Sequence, residues 1–314
     1  MPEVVKDAYI KAIEKDQTSY SHNKGLMETR TAIRGYFNQR YNVDYTEEEI
    51  VVTNGASEAI DTALRSILEP GDEIIIPGPI YAGYIPLIET LGGQPVYIDT
   101  TTTDFKITPE AIRAHVTPKT KAILLNYPTN PTGVILSRQE AANIADELKQ
   151  HAIFILSDEI YAENTFKGQH TSLAEFPEIR DQLLLISGLS KSHSATGIRI
   201  GFLLGPEYLI EKLTFMHAYN TICANVPAQI ACIAALTDGI DAPKAMNKAY
   251  KERLAYLKQR LLDMGFEIDA EPEGAFYIFP SLAPFNIEDD FNFCVDALEK
   301  GHIAMVPVSY THLT

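Results

Sequence analysis

Two rhythms of apolar and polar residues run through this chain. From residue 49 to residue 204, short and almost wholly apolar runs recur at 49–53, 73–76, 95–98, 122–125, 153–156, 183–186 and 202–204. Between several of them lie stretches with helical spacing, near 81–91, 109–115 and 137–150. The clearest follows the first run. There Ala56, Ala59, Ile60, Ala63, Leu64, Ile67 and Leu68 form an i, i+3, i+4, i+7 stripe, stopped by Glu69-Pro-Gly-Asp72. Short apolar strands alternating with amphipathic helices predict an α/β fold whose mostly parallel sheet is covered on both faces. In such folds ligands bind beyond the carboxyl ends of the strands. The polar residues that directly follow the apolar runs are therefore the candidates for function.

Helices are also expected at 3–15 and 26–41. From about Pro243 the rhythm changes. A long charged helix spans 244–264 and ends at Gly265, followed by a strand at 274–279, a helix at 289–300 and a strand at 303–306. The expected division is an N-terminal helix (1–15), a large domain (16–242) and a smaller, truncated α/β domain (243–314).

Composition narrows the picture modestly. The chain has 314 residues, 46% of them hydrophobic and 22% charged, which suits a globular protein. Its net charge of −16 opposes nucleic acid as a partner and leaves no polybasic patch for a membrane. No apolar run is long enough to span a bilayer. Three scattered cysteines lack metal-ligand spacing, and the N-terminus does not read as a secretory signal, so a cytoplasmic setting is expected.

Four clusters carry chemistry. Thr53-Asn-Gly-Ala-Ser57 is a strand-to-helix turn whose backbone N–H groups, at Gly55, Ala56 and Ser57, suit a phosphate. It is not the G-x-G-x-x-G pattern of dinucleotide folds. Asn126-Tyr-Pro-Thr-Asn-Pro-Thr-Gly133 is a proline-fixed turn that holds the Asn130 amide. Ser157-Asp-Glu-Ile-Tyr161 places Asp158 at a strand end, where a carboxylate can keep a heterocyclic nitrogen protonated. Ser187-Gly-Leu-Ser-Lys-Ser-His-Ser-Ala-Thr-Gly-Ile-Arg-Ile-Gly201 offers the Lys191 amine, with Ser190 and Arg199 as phosphate donors. Taken singly, each has an ordinary reading: a capped helix start, a structural turn, a pair of loop acids, a solvated lysine. Taken together, they complement one molecule. Asp158 meets a ring nitrogen, Asn130 a ring oxygen, Lys191 an aldehyde as an imine, and the first turn with Arg199 a phosphate. That molecule is pyridoxal 5'-phosphate.

With those motifs in that order and spacing, the chain resembles the class I aminotransferases of the fold-type I pyridoxal-phosphate enzymes, from about residue 2 to about residue 307. The resemblance implies an enzyme moving an amino group between an L-amino acid and a 2-oxo acid. It gives Tyr81 a place stacked on the cofactor ring, and Tyr161 a hydrogen bond to the ring oxygen beside Asn130. It also implies that Tyr20 reaches the phosphate of a neighbouring subunit, hence a homodimer with shared active sites. Ser192-His-Ser-Ala-Thr-Gly and His217-Ala-Tyr-Asn-Thr-Ile-Cys-Ala-Asn225 are most similar to N-acetyl-diaminopimelate and aromatic aminotransferases of Gram-positive bacteria.

The chain departs from that family at both ends. An N-terminal segment expected ahead of Pro2 is missing. The ending Val308-Ser-Tyr-Thr-His-Leu-Thr314 does not read as the expected strand, which bears the arginine for the substrate carboxylate. A truncated chain that binds cofactor better than it transaminates is thus one expectation. A carbon–sulfur β-lyase on the same scaffold is an alternative, and an effector-binding module or a dehydrogenase a more distant one.

Overall fold

The computed structural model describes residues 1–308, so the ending at 309–314 lies outside the described residues. In chain order its helices and strands are α1 (Glu3–Glu14), α2 (Met27–Tyr41), β1 (Ile50–Thr53), α3 (Ala56–Ile67), β2 (Glu73–Gly78), α4 (Tyr84–Thr90), β3 (Gln94–Asp99), α5 (Pro109–His115) and β4 (Thr120–Asn126). There follow α6 (Arg138–Leu148), β5 (Phe154–Asp158), β6 (Leu183–Gly188), α7 (Leu189–Ser192), β7 (Gly201–Leu204), α8 (Glu207–Asn220), α9 (Val226–Leu236), α10 (Ala242–Asp263) and α11 (Asp290–Gly301).

The seven strands form one sheet in the order β1-β7-β6-β5-β4-β2-β3. All neighbours pair in parallel except β7, which runs antiparallel to both β1 and β6. The all-apolar strands follow from their position. Val52, Ile75, Ile123, Ile155 and Leu185 face one buried layer, while Val51, Ile74, Leu124, Leu156 and Leu184 face the other. Successive side chains point to opposite faces, so both phases of the period must be apolar. The stripe of α3 meets the second layer through Ala59, Ile60, Ala63, Leu64 and Ile67.

Local signals set the helix ends. Ser137 accepts from the Glu140 N–H, and the Glu140 side chain reaches back to the Ser137 N–H, closing a capping box on α6. The Thr108 hydroxyl caps α5, which starts at Pro109. The single turn α7 and two longer helices, α8 and α9, escaped the sequence reading. In α9 the buried residues Pro227, Ala228, Gln229, Ala231, Cys232, Ala235 and Leu236 leave little polar face to mark a period. It packs against α1 and α2.

Two expected strands do not form. In 274–279 only Gly274 pairs, as an isolated bridge to Thr165. Residues 303–306 are exposed and unpaired as strand. A strand needs a partner for its N–H and C=O groups, and neither segment has one alongside among the described residues. Instead the Glu273 and Gly274 N–H groups donate to the carbonyl of Gly133, at 3.0 and 2.8 Å. This lays residues 272–277 over the turn after β4. No helix among the described residues is long and apolar enough to cross a membrane.

Candidate active site

The carboxyl ends of β1, β2, β4, β5 and β6 share one rim of the sheet. Because β7 is reversed, its first residue, Gly201, opens at that same rim, opposite Thr53 and Gly188. The loop ahead of it therefore delivers Arg199 to the place where the parallel strands end.

Asp158 closes β5 and is only 4% exposed. Its Oδ2 accepts from the Tyr84 hydroxyl at 2.6 Å and its Oδ1 from the Ile160 N–H at 3.1 Å. Asn126, at the end of β4, donates from Nδ2 to the Asp158 carbonyl at 2.9 Å. Burial raises the carboxyl to about 6, against the lowering effect of the two hydrogen bonds and of Lys191. Asp158 is therefore a buried carboxylate with neutral donors and no ion pair among the described residues, suited to accept a cation.

Lys191 lies in the short helix α7, beyond β6. Its amine stands 5.6 Å from the centre of the Tyr161 ring and 5.7 Å from that of Phe276. Burial lowers its pKa, the Asp158 charge opposes this, and Arg199 adds to it. Tyr161 and Phe276 pack edge to face, and Tyr250 of α10 stacks on Phe276 from behind.

The turn from β1 to α3 and the loop before β7 meet at Gly55. Its φ of 91° and ψ of 163° belong to glycine alone. A Cβ there would lie 2.4 Å from Arg199 Nη2. The Arg199 guanidinium donates to the Asn54 carbonyl at 3.2 Å and the Thr196 carbonyl at 3.1 Å. At Gly201 a Cβ would sit 2.5 Å from the Ala56 nitrogen. The two backbones thus touch, and the Arg199 guanidinium lies beside Gly55 at the start of α3. Ala56 and Ser57 open that helix, and Ser190 lies buried in α7.

The turn is braced from behind. Glu58 accepts from the Asn54 N–H, the Thr221 hydroxyl and His217 Nδ1. Burial raises the Glu58 carboxyl, but these bonds outweigh it and leave the pKa lowered. Asn54 Oδ1 in turn accepts from the Asn225 N–H at 3.0 Å.

Asn130 is fixed by a 3.0 Å bond from its N–H to Asn126 Oδ1. Its amide reaches the Tyr277 hydroxyl, which lies 2.6 Å from the Tyr161 hydroxyl. Tyr81 is partly exposed and packs edge to face on Tyr84 at 5.3 Å between ring centres. Tyr20 is 80% exposed and makes no hydrogen bond or ring contact among the described residues. The sequence residues thus gather into connected groups around the rim, with Tyr20 outside them.

Sequence reasoning missed Tyr84, Asn126, Phe276, Tyr277, Glu58 and His217. Asn126 was within reach, as the first residue of a motif already singled out. Nothing in sequence marks Tyr84 or Tyr277 as partners of Asp158 and Tyr161.

This donor set suits pyridoxal phosphate: a buried carboxylate awaiting a cation, an amine of lowered pKa, and an arginine lying across a glycine turn at a helix start. The whole chain, residues 1–314, matches the family model for aminotransferase class I and II. It is 47% identical over 309 residues to a probable N-acetyl-LL-diaminopimelate aminotransferase of Bacillus subtilis, covering 98% of this chain and 78% of that relative. The aromatic aminotransferase structure from Pyrococcus horikoshii superposes with a TM-score of 0.94 at 31% identity, covering 99% of this chain and 84% of that one. For aspartate aminotransferase from Thermotoga maritima the TM-score is 0.92 at 34% identity, with 99% and 81% covered. These likenesses favour amino transfer over carbon–sulfur cleavage. The chain belongs to the class I and II aminotransferases, fold-type I enzymes that use pyridoxal phosphate to move an amino group between an amino acid and a 2-oxo acid.

Proposed function

We propose that Lys191 is the residue that holds the cofactor and moves the proton in this aminotransferase, with Asp158 paired to the ring nitrogen. The observation that carries the reading is a buried, neutrally bonded Asp158 closing β5 and a half-buried Lys191 just beyond β6, both at one rim of the sheet. Bound there, pyridoxal phosphate supplies a carbonyl for the amino group and a ring that takes up negative charge.

The remaining roles are those read from the motifs and the family resemblance, and the gathering of these residues at one rim of the sheet supports them. The N–H groups of Gly55, Ala56 and Ser57, with Ser190 and Arg199, hold the phosphate. Asn130 and Tyr161 hold the ring oxygen, and Tyr81 covers the ring. Released from the cofactor, the Lys191 amine stands over the substrate. Its lowered pKa favours the unprotonated form, which would take the substrate α-proton and deliver it to the carbon that was the cofactor's aldehyde. Asp158, kept as an anion by the ring cation, holds that cation in place.

Tyr20, exposed on the loop between α1 and α2, is read as reaching the phosphate of a second subunit in a homodimer. The free cysteines Cys223, Cys232 and Cys294 support a reducing, cytoplasmic setting. The division at residues 15 and 242 into a first helix, a cofactor-binding domain and a smaller domain agrees with a sheet confined to residues 50–204. The name of the Bacillus subtilis relative makes N-acetyl-LL-diaminopimelate the first amino donor to assay.

Lys191→Ala tests the reading. It should abolish turnover, and borohydride should no longer fix the cofactor to the chain. Normal turnover in that variant would end it.

A further inference from the structure

We propose that Tyr277 is a third residue of the ring-oxygen subsite, beside Asn130 and Tyr161. This rests on the reading of that subsite given above.

The argument begins with position. Tyr277 follows Ala275, which is fully buried, in the segment whose N–H groups at Glu273 and Gly274 bond to Gly133. That segment is therefore pinned to the same turn that carries Asn130. The Tyr277 ring packs edge to face on Tyr161, with centres 5.7 Å apart. Its hydroxyl is 2.6 Å from that of Tyr161 and accepts from Asn130 Nδ2 at 3.4 Å.

A count of protons gives this geometry a direction. Burial raises both phenols, so each carries its proton at neutral pH. One proton fills the contact between the two oxygens. The other has no further acceptor bonded to it among the described residues. Each phenol offers one donor, and with Tyr161 buried and Tyr277 half-buried the second donor is turned toward the site rather than to a protein acceptor. An anionic ring oxygen beside Asn130 and Tyr161 is an acceptor of the right charge for it. The ionisable groups that act on this pair are Asp158, Tyr81, Tyr84 and Lys191. Of these only Lys191 carries positive charge, and it stands over the Tyr161 ring rather than at the hydroxyl pair.

The test follows the absorbance of bound pyridoxal phosphate against pH. A donor to the oxygen anion stabilises the form that has lost its proton. Tyr277→Phe should therefore raise the midpoint of the spectral change, by about one to two pH units. Tyr161→Phe should raise it too. A shift in Tyr161→Phe with none in Tyr277→Phe overturns the assignment of Tyr277 and leaves the subsite reading intact. No shift in either removes both.

A second measurement uses 3-deoxypyridoxal phosphate, which lacks the ring oxygen. The wild-type chain should bind it about tenfold or more weakly than the natural cofactor, and Tyr277→Phe should show a several-fold smaller ratio. Equal ratios in the two proteins would overturn the proposal, because a packing role for Tyr277 moves neither the ratio nor the midpoint.

Discussion

Replacing Asp158 with asparagine should stabilise the cofactor-free fold at neutral pH and remove most of the activity of the cofactor-loaded enzyme. The carboxyl is fully enclosed, and burial lifts its pKa from 3.8 to about 6. A rise of about two units, at about 1.36 kcal/mol each, corresponds to about 3 kcal/mol. The sign follows from proton binding. Between the two pKa values the folded chain holds more protons than the unfolded one, so stability falls as pH rises through that window and stays reduced above it. Asparagine carries no charge to bury. Its oxygen can still accept from Ile160, and its amide can donate to Tyr84, so both bonds survive in form. Urea titrations at pH 4 and pH 7.5 should show the variant gaining about 2.5 kcal/mol on the wild type between the two, since a little of the effect is already present at pH 4. The neutral-pH melting point should rise by several degrees, at roughly 2 °C per kcal/mol. Adding pyridoxal phosphate should then stabilise the wild type more than the variant, because only the carboxylate gains a cationic partner. A variant that is no more stable at pH 7.5 would refute the claim that Asp158 is held there at a cost.

Two further substitutions probe the surrounding geometry. Gly55→Ala forces a side chain into a glycine-only conformation, at about 1–3 kcal/mol, and drives its Cβ into Arg199; cofactor affinity measured by fluorescence should fall at least about tenfold, and an unchanged affinity would sink the phosphate role of this turn. Tyr84→Phe removes the 2.6 Å donor that lowers the Asp158 pKa; in the cofactor-free protein the pH at which stability stops falling should move up by about one to two units, and an unmoved profile would detach Tyr84 from the Asp158 carboxylate.

Much of this molecule was legible in the sequence, for identifiable reasons. The sheet strands are buried on both faces, so their apolar runs stand out. Their carboxyl ends are where polar residues follow at once, which singled out Asp158, Asn130 and Lys191. The helices α8 and α9 were not legible, since α9 is buried nearly all round and offers no polar stripe. The strands expected at 274–279 and 303–306 had the right composition but, beyond one bridge at Gly274, no strand partner among the described residues. Tyr277 lies 116 residues from Tyr161 along the chain. Its meeting with that residue is a product of how 272–277 folds back on Gly133, which no local pattern encodes.

The reversed strand β7 has a consequence for how the site assembles. Gly188 and Gly201 pair across β6 and β7, and everything from 189 to 200 is one loop closed at that base. Lys191 and Arg199 both belong to it. Their separation is therefore set by a short-range closure, the kind that forms early and quickly. It does not wait for the long-range packing that positions Tyr277 or α10. A rigid movement of α10 and the residues after it would leave the amine and the guanidinium at the same distance from each other. The amine and the guanidinium are in this sense one local structure, while the β1–α3 turn, Asp158, Asn130 and the residues that cover the site are brought to them by the rest of the chain.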